Sequence, residues 1–450
     1  MLRRFIPQSW IERYRILRAR YAAWKFGYPS RELIVIGVTG TDGKTTTSSL
    51  ITQLLESSGK RVGMLSTVFF RIGGKERVNE TKLTSLSSLA VQRALRAMVD
   101  AGDQYAVVET SSHALDQHRM LGVEYDIAVI TNTSHEHLDY HKTMEGYRAA
   151  KGKLFASLAT AYQKSGVKKA MVLNMDDPTF DNYVQFPADV KIGYSTRSSQ
   201  SSLTHLLTYS LTADHIVLDG WSSRFNLRLP SPLLRGEGEV VTIQLPLPGT
   251  WNISNALAAV SVASILGVNT FAIKNALANV KSVPGRMERI DEGQPFTVLI
   301  DYAVTPNAFE HLYKFLHIAR SQKPEAKIYA VFGATGERDR EKRPILGRIA
   351  AEHADVVILT NEDPWREDPH AIIDAVAKGA VEGGKKEGEN FFKIFDRGEA
   401  IRYAVEHAKP GDIVVITGKG AETSMAIGKQ KIPWDERAIV RQIVRQYAKP

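Results

Sequence analysis

The chain has 450 residues, too many for one ordinary core, so two or three domains are expected. No run approaches the roughly 20 apolar residues of a membrane-spanning helix, and no secretory signal opens the chain, which makes a cytoplasmic location the expectation. The absence of cysteine excludes disulfides, thiolate nucleophiles and cysteine-ligated zinc, so any metal has to be held by oxygen or imidazole.

The net charge of +9 is concentrated at the start, where residues 1–31 carry eight Lys/Arg against the single acid Glu12. Trp10, Tyr14, Leu17, Tyr21 and Trp24 recur at helical spacing with Arg13, Arg15, Arg18 and Arg20 between them. This pattern predicts a basic amphipathic helix over residues 1–30. The first expectation is that its aromatic stripe packs on the domain that follows. The second is adsorption of residues 1–28 on the anionic inner face of a membrane. Nucleic acid is not an expected partner, since the remaining chain is near charge balance and shows no basic stripe.

The β-branched run Leu33–Val38 reads as a buried strand leading into a Gly-rich turn and a helix over Thr45–Ser57. Strand-like runs follow at Tyr105–Val108, Ile127–Thr131 and Ala170–Leu173, separated by helices at Ser88–Asp100 and Met144–Leu158. Such alternation predicts an α/β fold with a mainly parallel sheet covered on both faces. Residues 195–245 alternate polar and apolar and predict an antiparallel excursion. After Pro284-Gly285-Arg286 the pattern restarts, with strands at Thr297–Ile300, Ile328–Phe332, Val356–Thr360 and Ile413–Thr417. The expected organisation is a P-loop central domain over 31–289 and a C-terminal Rossmann-like α/β domain over 290–450. Residues 382–389 read as a solvated loop.

The strongest local signal is Gly37-Val-Thr-Gly-Thr-Asp-Gly-Lys-Thr-Thr46, between strand and helix. Glycines let backbone amides approach phosphate oxygens, the helix N-terminus adds positive potential, Lys44 neutralises terminal phosphates, and Thr45 offers a hydroxyl to magnesium. The ordinary P-loop spacing puts glycine where Val38 stands; here the glycines are Gly37, Gly40 and Gly43. Glu109 ends one strand and His137 follows another, so both are expected at the carboxyl edge of the sheet, beside the phosphates, where a carboxylate and an imidazole complete a magnesium site. The His-rich run from His135 to His141 also suggests zinc, but no compact ligand spacing emerges.

These motifs resemble the Mur ligases, and among them most the muramyl-tripeptide synthetases. The resemblance runs from about Leu33 to the end of the chain. It rests on the P-loop, on Glu109-Thr-Ser-Ser-His113, on Asn132-Thr-Ser-His-Glu-His-Leu-Asp-Tyr-His141, and on Tyr147-Arg-Ala-Ala-Lys151. Asn174-Met-Asp-Asp177, Pro248-Gly-Thr-Trp-Asn-Ile-Ser-Asn255 and Pro284-Gly-Arg-Met-Glu288 follow in order. Asp301-Tyr-Ala303, Gly336-Glu-Arg-Asp-Arg-Glu-Lys-Arg-Pro344 and Gly418-Lys-Gly-Ala-Glu422 complete the series.

The resemblance implies that Gly40, Thr41, Asp42, Gly43, Lys44, Thr45 and Thr46 hold ATP phosphates, and that Thr45, Glu109, His137 and Lys151 surround Mg2+. Lys44, Glu109, His137 and Lys151 are then the catalytic set. Lys151 matches a lysine that the family carbamylates, which turns an ammonium into a carboxylate-like ligand. Asn255 and Asp301 match residues that hold the adenosine part, and Arg286 an arginine near the domain junction. Substrate contacts are implied for Thr84, Ser85, Ser111, Ser112, His113, Arg338, Asp363, Trp365, Arg366, Gly418 and Glu422. The implied reaction transfers the γ-phosphoryl of ATP to a carboxylate, and the amine of an amino acid attacks the acyl phosphate. With ATP on one domain and part of the amino-acid site on another, closure becomes a prerequisite that also keeps water out. A monomer acting on small molecules is expected.

The pattern also departs from the family. Its tripeptide synthetases begin with a separate domain of about a hundred residues that grips UDP, and the P-loop here starts at Gly37, so that domain is expected to be lacking. The family motif Asp-Asn-Pro-Arg reads Glu362-Asp363-Pro364-Trp365, with Arg366 one place on. Val304 and Ala421 stand where the family has histidines. An arginine moved by one residue aims its planar fork elsewhere, so an amino acid other than diaminopimelate is expected. Two alternatives follow: a related ligase for a folate, poly-glutamate or lipid-linked peptidoglycan acceptor, or a non-catalytic ATP-binding scaffold at the membrane. The retained Lys44, Glu109, His137 and Lys151 count against the scaffold.

Overall fold

A computed structural model describes residues 7–79, 84–134, 136–197, 201–230, 239–280, 283–321 and 323–447. The chain divides into two compact units, Met1–Leu218 with Ser222–Lys281, and Asp219–Trp221 with Ser282–Pro450.

Among the described residues the first unit builds one 11-stranded sheet. Its strands are β1 (Ile34–Thr39), β2 (Val62–Leu65), β3 (Phe69–Ile72), β4 (Lys75–Val78), β5 (Tyr105–Glu109), β6 (Ile127–Ile130), β7 (Ala170–Asn174), β8 (Val190–Ser195), β9 (Tyr209–Leu218), β10 (Ser223–Leu229) and β11 (Glu239–Leu245). Their order is β11-β10-β9-β8-β7-β6-β1-β5-β2-β3-β4. From β2 through β9 the neighbours are parallel. The two margins, β3–β4 and β10–β11, are antiparallel. The expected antiparallel excursion thus extends the main sheet. Helices α1 (Gln8–Lys25), α2 (Lys44–Glu56), α3 (Ser88–Asp100), α4 (Ser112–Asp116), α5 (Leu138–His141), α6 (Met144–Leu158), α7 (Phe180–Tyr183), α8 (Thr250–Ile265) and α9 (Thr270–Ala278) connect the strands.

Alternating residues of β1 enter two different cores, as a pleated strand requires. Ile36 and Val38 pack with Leu50, Leu54 and Ile253 of α2 and α8. Val35 packs on the opposite face with Leu95, Met98, Leu154 and Phe155 of α3 and α6. Both faces are therefore covered, which is why the central strands read as unbroken apolar runs.

The expectation that α1 packs through its aromatic stripe is overturned. Ala19, Ala22 and Ala23 form the buried face, whereas Trp10, Tyr14, Leu17, Tyr21 and Trp24 are each more than half exposed. The reason is steric. Ala23 approaches Gly122 so closely that a Cβ on that glycine would lie 2.8 Å from the alanine methyl, and no large ring fits there. Arg96 of α3 then closes the end of α1, donating to Phe26 O at 3.0 Å and pairing with Glu32 at 2.7 Å. A cation at a helix C-terminus is favourably placed against its carbonyls.

The second unit contains β12 (Glu288–Ile290), β13 (Thr297–Asp301), β14 (Ile328–Phe332), β15 (Val356–Leu359), β16 (Phe391–Lys393) and β17 (Ile413–Thr417), in the order β12-β13-β17-β14-β15-β16. All neighbours are parallel except β12 with β13. A hairpin of β18 (Ser424–Ile427) and β19 (Gln430–Pro433) follows β17. Helices α10 (Pro306–Arg320), α11 (Lys342–His353), α12 (Pro369–Glu382), α13 (Arg397–His407) and α14 (Glu436–Tyr447) complete it. Arg397 and Glu436, both fully buried, form a two-pronged ion pair at 2.6 and 2.7 Å that ties α13 to α14.

Candidate active site

β1 runs into the turn 40–43, and α2 begins at Lys44. Gly40 and Gly43 have φ of 149° and 80°, which side-chain-bearing residues rarely adopt. Neither leaves space for a Cβ, which would lie 1.8 Å from Thr131 Oγ1 at Gly40 and 2.3 Å from Asn255 Oδ1 at Gly43. Gly37, counted with them in the motif, lies inside β1, where the run Leu33–Val38 places it. A Cβ there would stand 2.7 Å from the Tyr125 ring and 2.8 Å from Leu154, so packing under α6 accounts for that glycine.

The segment after β6 braces the turn. Thr41 N–H donates to Asn132 O at 2.9 Å, Asp42 N–H to Asn132 Oδ1 at 3.0 Å, and Thr131 Oγ1 to Asp42 O at 2.6 Å. Lys44 Nζ curls back to Gly40 O at 2.9 Å and Thr41 O at 2.6 Å. The N-cap of α2 is Gly43, which has no side chain to cap it, so the first amides of the helix are directed at the mouth of the turn, where an anion is favoured. Thr45 is buried and Thr46 half-buried in that first helical turn. Asn255 of α8 accepts from Thr47 Oγ1 at 3.2 Å and is itself positioned by Asn252.

Glu109 ends β5 opposite Val38 and is buried. Its Oε2 accepts from the Thr67 amide at 2.9 Å and hydroxyl at 2.6 Å, while Oε1 is buried without a partner among the described residues. Lys151, buried in α6, has its Nζ 4.3 Å from the centre of the Tyr147 ring. Burial first, then the charge of Lys44, holds the Lys151 amine well below the ordinary lysine range. His137 has a left-handed backbone with φ of 59°. Desolvation first, and then His113, Lys44 and Lys151, lower its pKa below the ordinary imidazole range, although 42% of the side chain is exposed. A neutral imidazole keeps a lone pair for a cation. The His113 ring meets those of His137 and His141 at 4.7 and 5.3 Å; His135 lies outside the described residues.

Ser85, Ser111, Ser112 and His113 come together beside Glu109. Ser85 Oγ donates to Glu109 O at 3.1 Å and lies 3.1 Å from Ser111 Oγ, while His141 Nε2 is 3.0 Å from Ser112 Oγ. Thr84 adjoins them, half-buried.

A second cluster stands in the other unit. Asp301 ends β13 and accepts from the amides of Met287 and Ala303, each at 2.7 Å. The Arg286 guanidinium lies 4.6 Å above the Tyr302 ring. Lys419, fully buried, donates to Asp363 Oδ1 at 2.9 Å and to Glu422. Gly418 has φ of 109° and a Cβ there would strike Glu362 at 2.1 Å. Trp365 is fixed by its backbone, with φ of 51° and bonds from its N–H to Ala426 O at 3.1 Å and from Gly428 N–H to its O at 2.6 Å. Arg338 and Arg366 are exposed and belong to neither cluster's buried network.

Three positioning residues escaped the motif-based selection. Tyr147 and Lys419 stand inside quoted motifs, so their spacing carried a signal. Thr67 has none, because it meets Glu109 only through the pairing of β2 with β5.

The first cluster fits a triphosphate and a magnesium ion. Gly40 and Gly43 cannot accept a side chain, the N-cap Gly43 offers none to the amides of α2, and the oxygen and imidazole donors include a buried carboxylate oxygen with no partner among the described residues.

Two family descriptions match the chain: the Mur ligase middle domain over residues 38–263 and the Mur ligase, glutamate ligase domain over residues 285–420. A UDP-N-acetylmuramyl-tripeptide synthetase from Roseiflexus sp. (strain RS-1) is 41% identical, covering 98% of this chain and 84% of that protein. A UDP-N-acetylmuramoyl-L-alanyl-D-glutamate--2,6-diaminopimelate ligase from Geobacillus thermodenitrificans (strain NG80-2) is 40% identical over 94% of this chain and 81% of its own. A solved structure of a ligase with the same activity name superposes with a TM-score of 0.62 at 31% identity, covering 97% of this chain and 84% of that one. With both halves of the molecule matched in order, the chain belongs to the Mur ligase family and is an ATP-dependent acid–amino-acid ligase.

Proposed function

We propose that the chain adds an amino acid to the free carboxylate of a muramyl-peptide acceptor during peptidoglycan precursor synthesis. The observation that carries this reading is the convergence, in one unit, of the P-loop, Glu109, His137 and Lys151 next to the Ser85–Ser111–His113 patch. The activities named for the relatives at 40 and 41% identity support it.

A carboxylate is a poor electrophile, and an amine forms a salt with it before it forms an amide. Phosphoryl transfer from ATP supplies the leaving group. Lys44 and the amides of the turn hold the terminal phosphates. Thr45, Glu109, His137 and a carbamylated Lys151 would hold magnesium, which when bound neutralises charge on the transferring oxygens. The low pKa of Lys151 supports carbamylation, because only the neutral amine adds to CO2, forming an N–C bond and releasing a proton. Ser85, Ser111, Ser112 and His113 face the acceptor in this reading, and Asp363, Trp365 and Glu422 the incoming amino acid.

That amino acid differs from diaminopimelate in our reading. Arg366 is exposed, and the residue at the place of the family arginine is Trp365, which offers an aromatic face and no fork for a carboxylate.

Phosphate release from ATP, measured with a panel of muramyl-dipeptide, folate and poly-glutamate acceptors against single amino acids, tests the proposal. Turnover that requires a muramyl dipeptide together with one amino acid, and is lost in Lys44→Ala, is the expected result. Turnover with another acceptor only, or with none, overturns it.

A further inference from the structure

α1 presents an outward face that no described residue covers. At about 100° per residue, Trp10, Tyr14, Leu17, Tyr21 and Trp24 fall within an arc of about 80°, and each is more than half exposed. Arg13 and Arg20 flank this ridge on one side, Arg18 and Lys25 on the other, and all four are exposed. The only acid of the helix, Glu12, lies away from the ridge and takes His118 Nε2 at 3.1 Å. The opposite face is sealed by Ala19, Ala22 and Ala23, and the end of the helix is fixed by Arg96.

We propose that this face of α1 docks the protein on a membrane rich in anionic phospholipid. Trp and Tyr have an apolar body and a polar edge, which suits them to the boundary between headgroups and acyl chains. Arginine and lysine on both flanks reach phosphates while their stems lie along the apolar layer. A helix of 18 residues is about 27 Å long and, lying flat, brings the whole ridge into contact at once. It is already folded and anchored, so docking orders no new backbone. Pairing with a second copy is disfavoured, because the four flanking cations of each copy would face those of the other. Nucleic acid would use the cations and leave five apolar side chains without a function.

The test uses the whole chain with sedimenting vesicles of phosphatidylcholine alone and of phosphatidylcholine mixed with phosphatidylglycerol. At least tenfold more protein is expected on the anionic vesicles, with a blue shift of tryptophan emission. The triple variant Trp10→Ala, Leu17→Ser, Trp24→Ala is expected to lose both signals at an unchanged unfolding temperature, since these side chains lie outside the core. Arg13→Glu with Arg20→Glu is expected to lose the anionic preference. Equal binding to both vesicle types, no binding to either, or full binding by the triple variant overturns the proposal. So does a lipid-free dimer, seen in sedimentation equilibrium, that the triple variant abolishes. Because ligation is read with soluble substrates, none of these results bears on the proposed reaction.

Discussion

Thr67 holds Glu109 by one carboxylate oxygen only. Its amide and hydroxyl both donate to Oε2, and Oε1 is left buried with no partner among the described residues. A bare buried acceptor is costly, and a cation opposite it removes that cost. If Glu109 holds magnesium as proposed, Thr67 orients the oxygen that would face it, as outer partners of metal ligands do. Thr67→Val keeps the shape and removes one bond. It is expected to raise the magnesium concentration for half-maximal phosphate release by roughly 10 to 100-fold, with little change in KM for the acceptor. An unchanged magnesium dependence would show that Glu109 does not meet the ion.

Lys151 is buried and lies on the Tyr147 ring with the charge of Lys44 nearby. If its carbamate supplies negative charge to the site, Lys151→Ala removes that charge and opens a space of similar length. Turnover is expected to fall on the order of 100-fold or more, and a short-chain carboxylic acid added in the assay is expected to restore part of it. Activity close to the parent in the unsupplemented variant would rule the modification out as a requirement.

The parts of the molecule legible in the sequence are those whose physics is local. The helices Ser88–Asp100 and Met144–Leu158 and the strands Ile328–Phe332 and Ile413–Thr417 have the bounds expected from periodicity, because an amphipathic or fully apolar run declares its own period. The turn with Lys44 was legible because its glycines and lysine are contiguous. The orientation of α1 was not, because both of its faces carry apolar residues and only the close approach to Gly122 decides which one is buried. Gly37 falls within the strand, as the run Leu33–Val38 predicts, but the reason it is glycine is not legible, because its neighbours Tyr125 and Leu154 are far away in the chain. The bond from Lys419 to Asp363 spans 56 positions and leaves no local trace.

Arg397 and Glu436 are both fully enclosed, and Arg397 also donates to Thr417 O at 2.7 Å. Removing one partner strands a buried charge. Arg397→Met is expected to cost about 3–5 kcal/mol of stability, read as a lower urea midpoint for the second unit. Arg397→Met combined with Glu436→Leu is expected to recover most of that loss, because a buried ion pair is often replaceable by apolar groups of similar volume. A double variant as unstable as the single one would mean that the bonds of the pair to Thr417 O and Trp434 Nε1 matter more than the pair itself.

Trp365 stands where the motif resemblance puts the family arginine, and its backbone is pinned by Ala426 and Gly428. A replacement side chain at 365 therefore starts from the same place and direction. Trp365→Arg supplies a planar fork that pairs with a carboxylate through two parallel bonds, and diaminopimelate brings one more carboxylate than lysine does. The variant is expected to shift the ratio of kcat/KM for diaminopimelate over the amino acid preferred by the parent by at least tenfold, about 1.4 kcal/mol. Ala421→His added to it is expected to extend the shift by restoring the imidazole beside Glu422. If the parent already uses diaminopimelate best, or if neither substitution moves the ratio, position 365 does not govern selection and the departure from the family motif is without consequence for the amino acid.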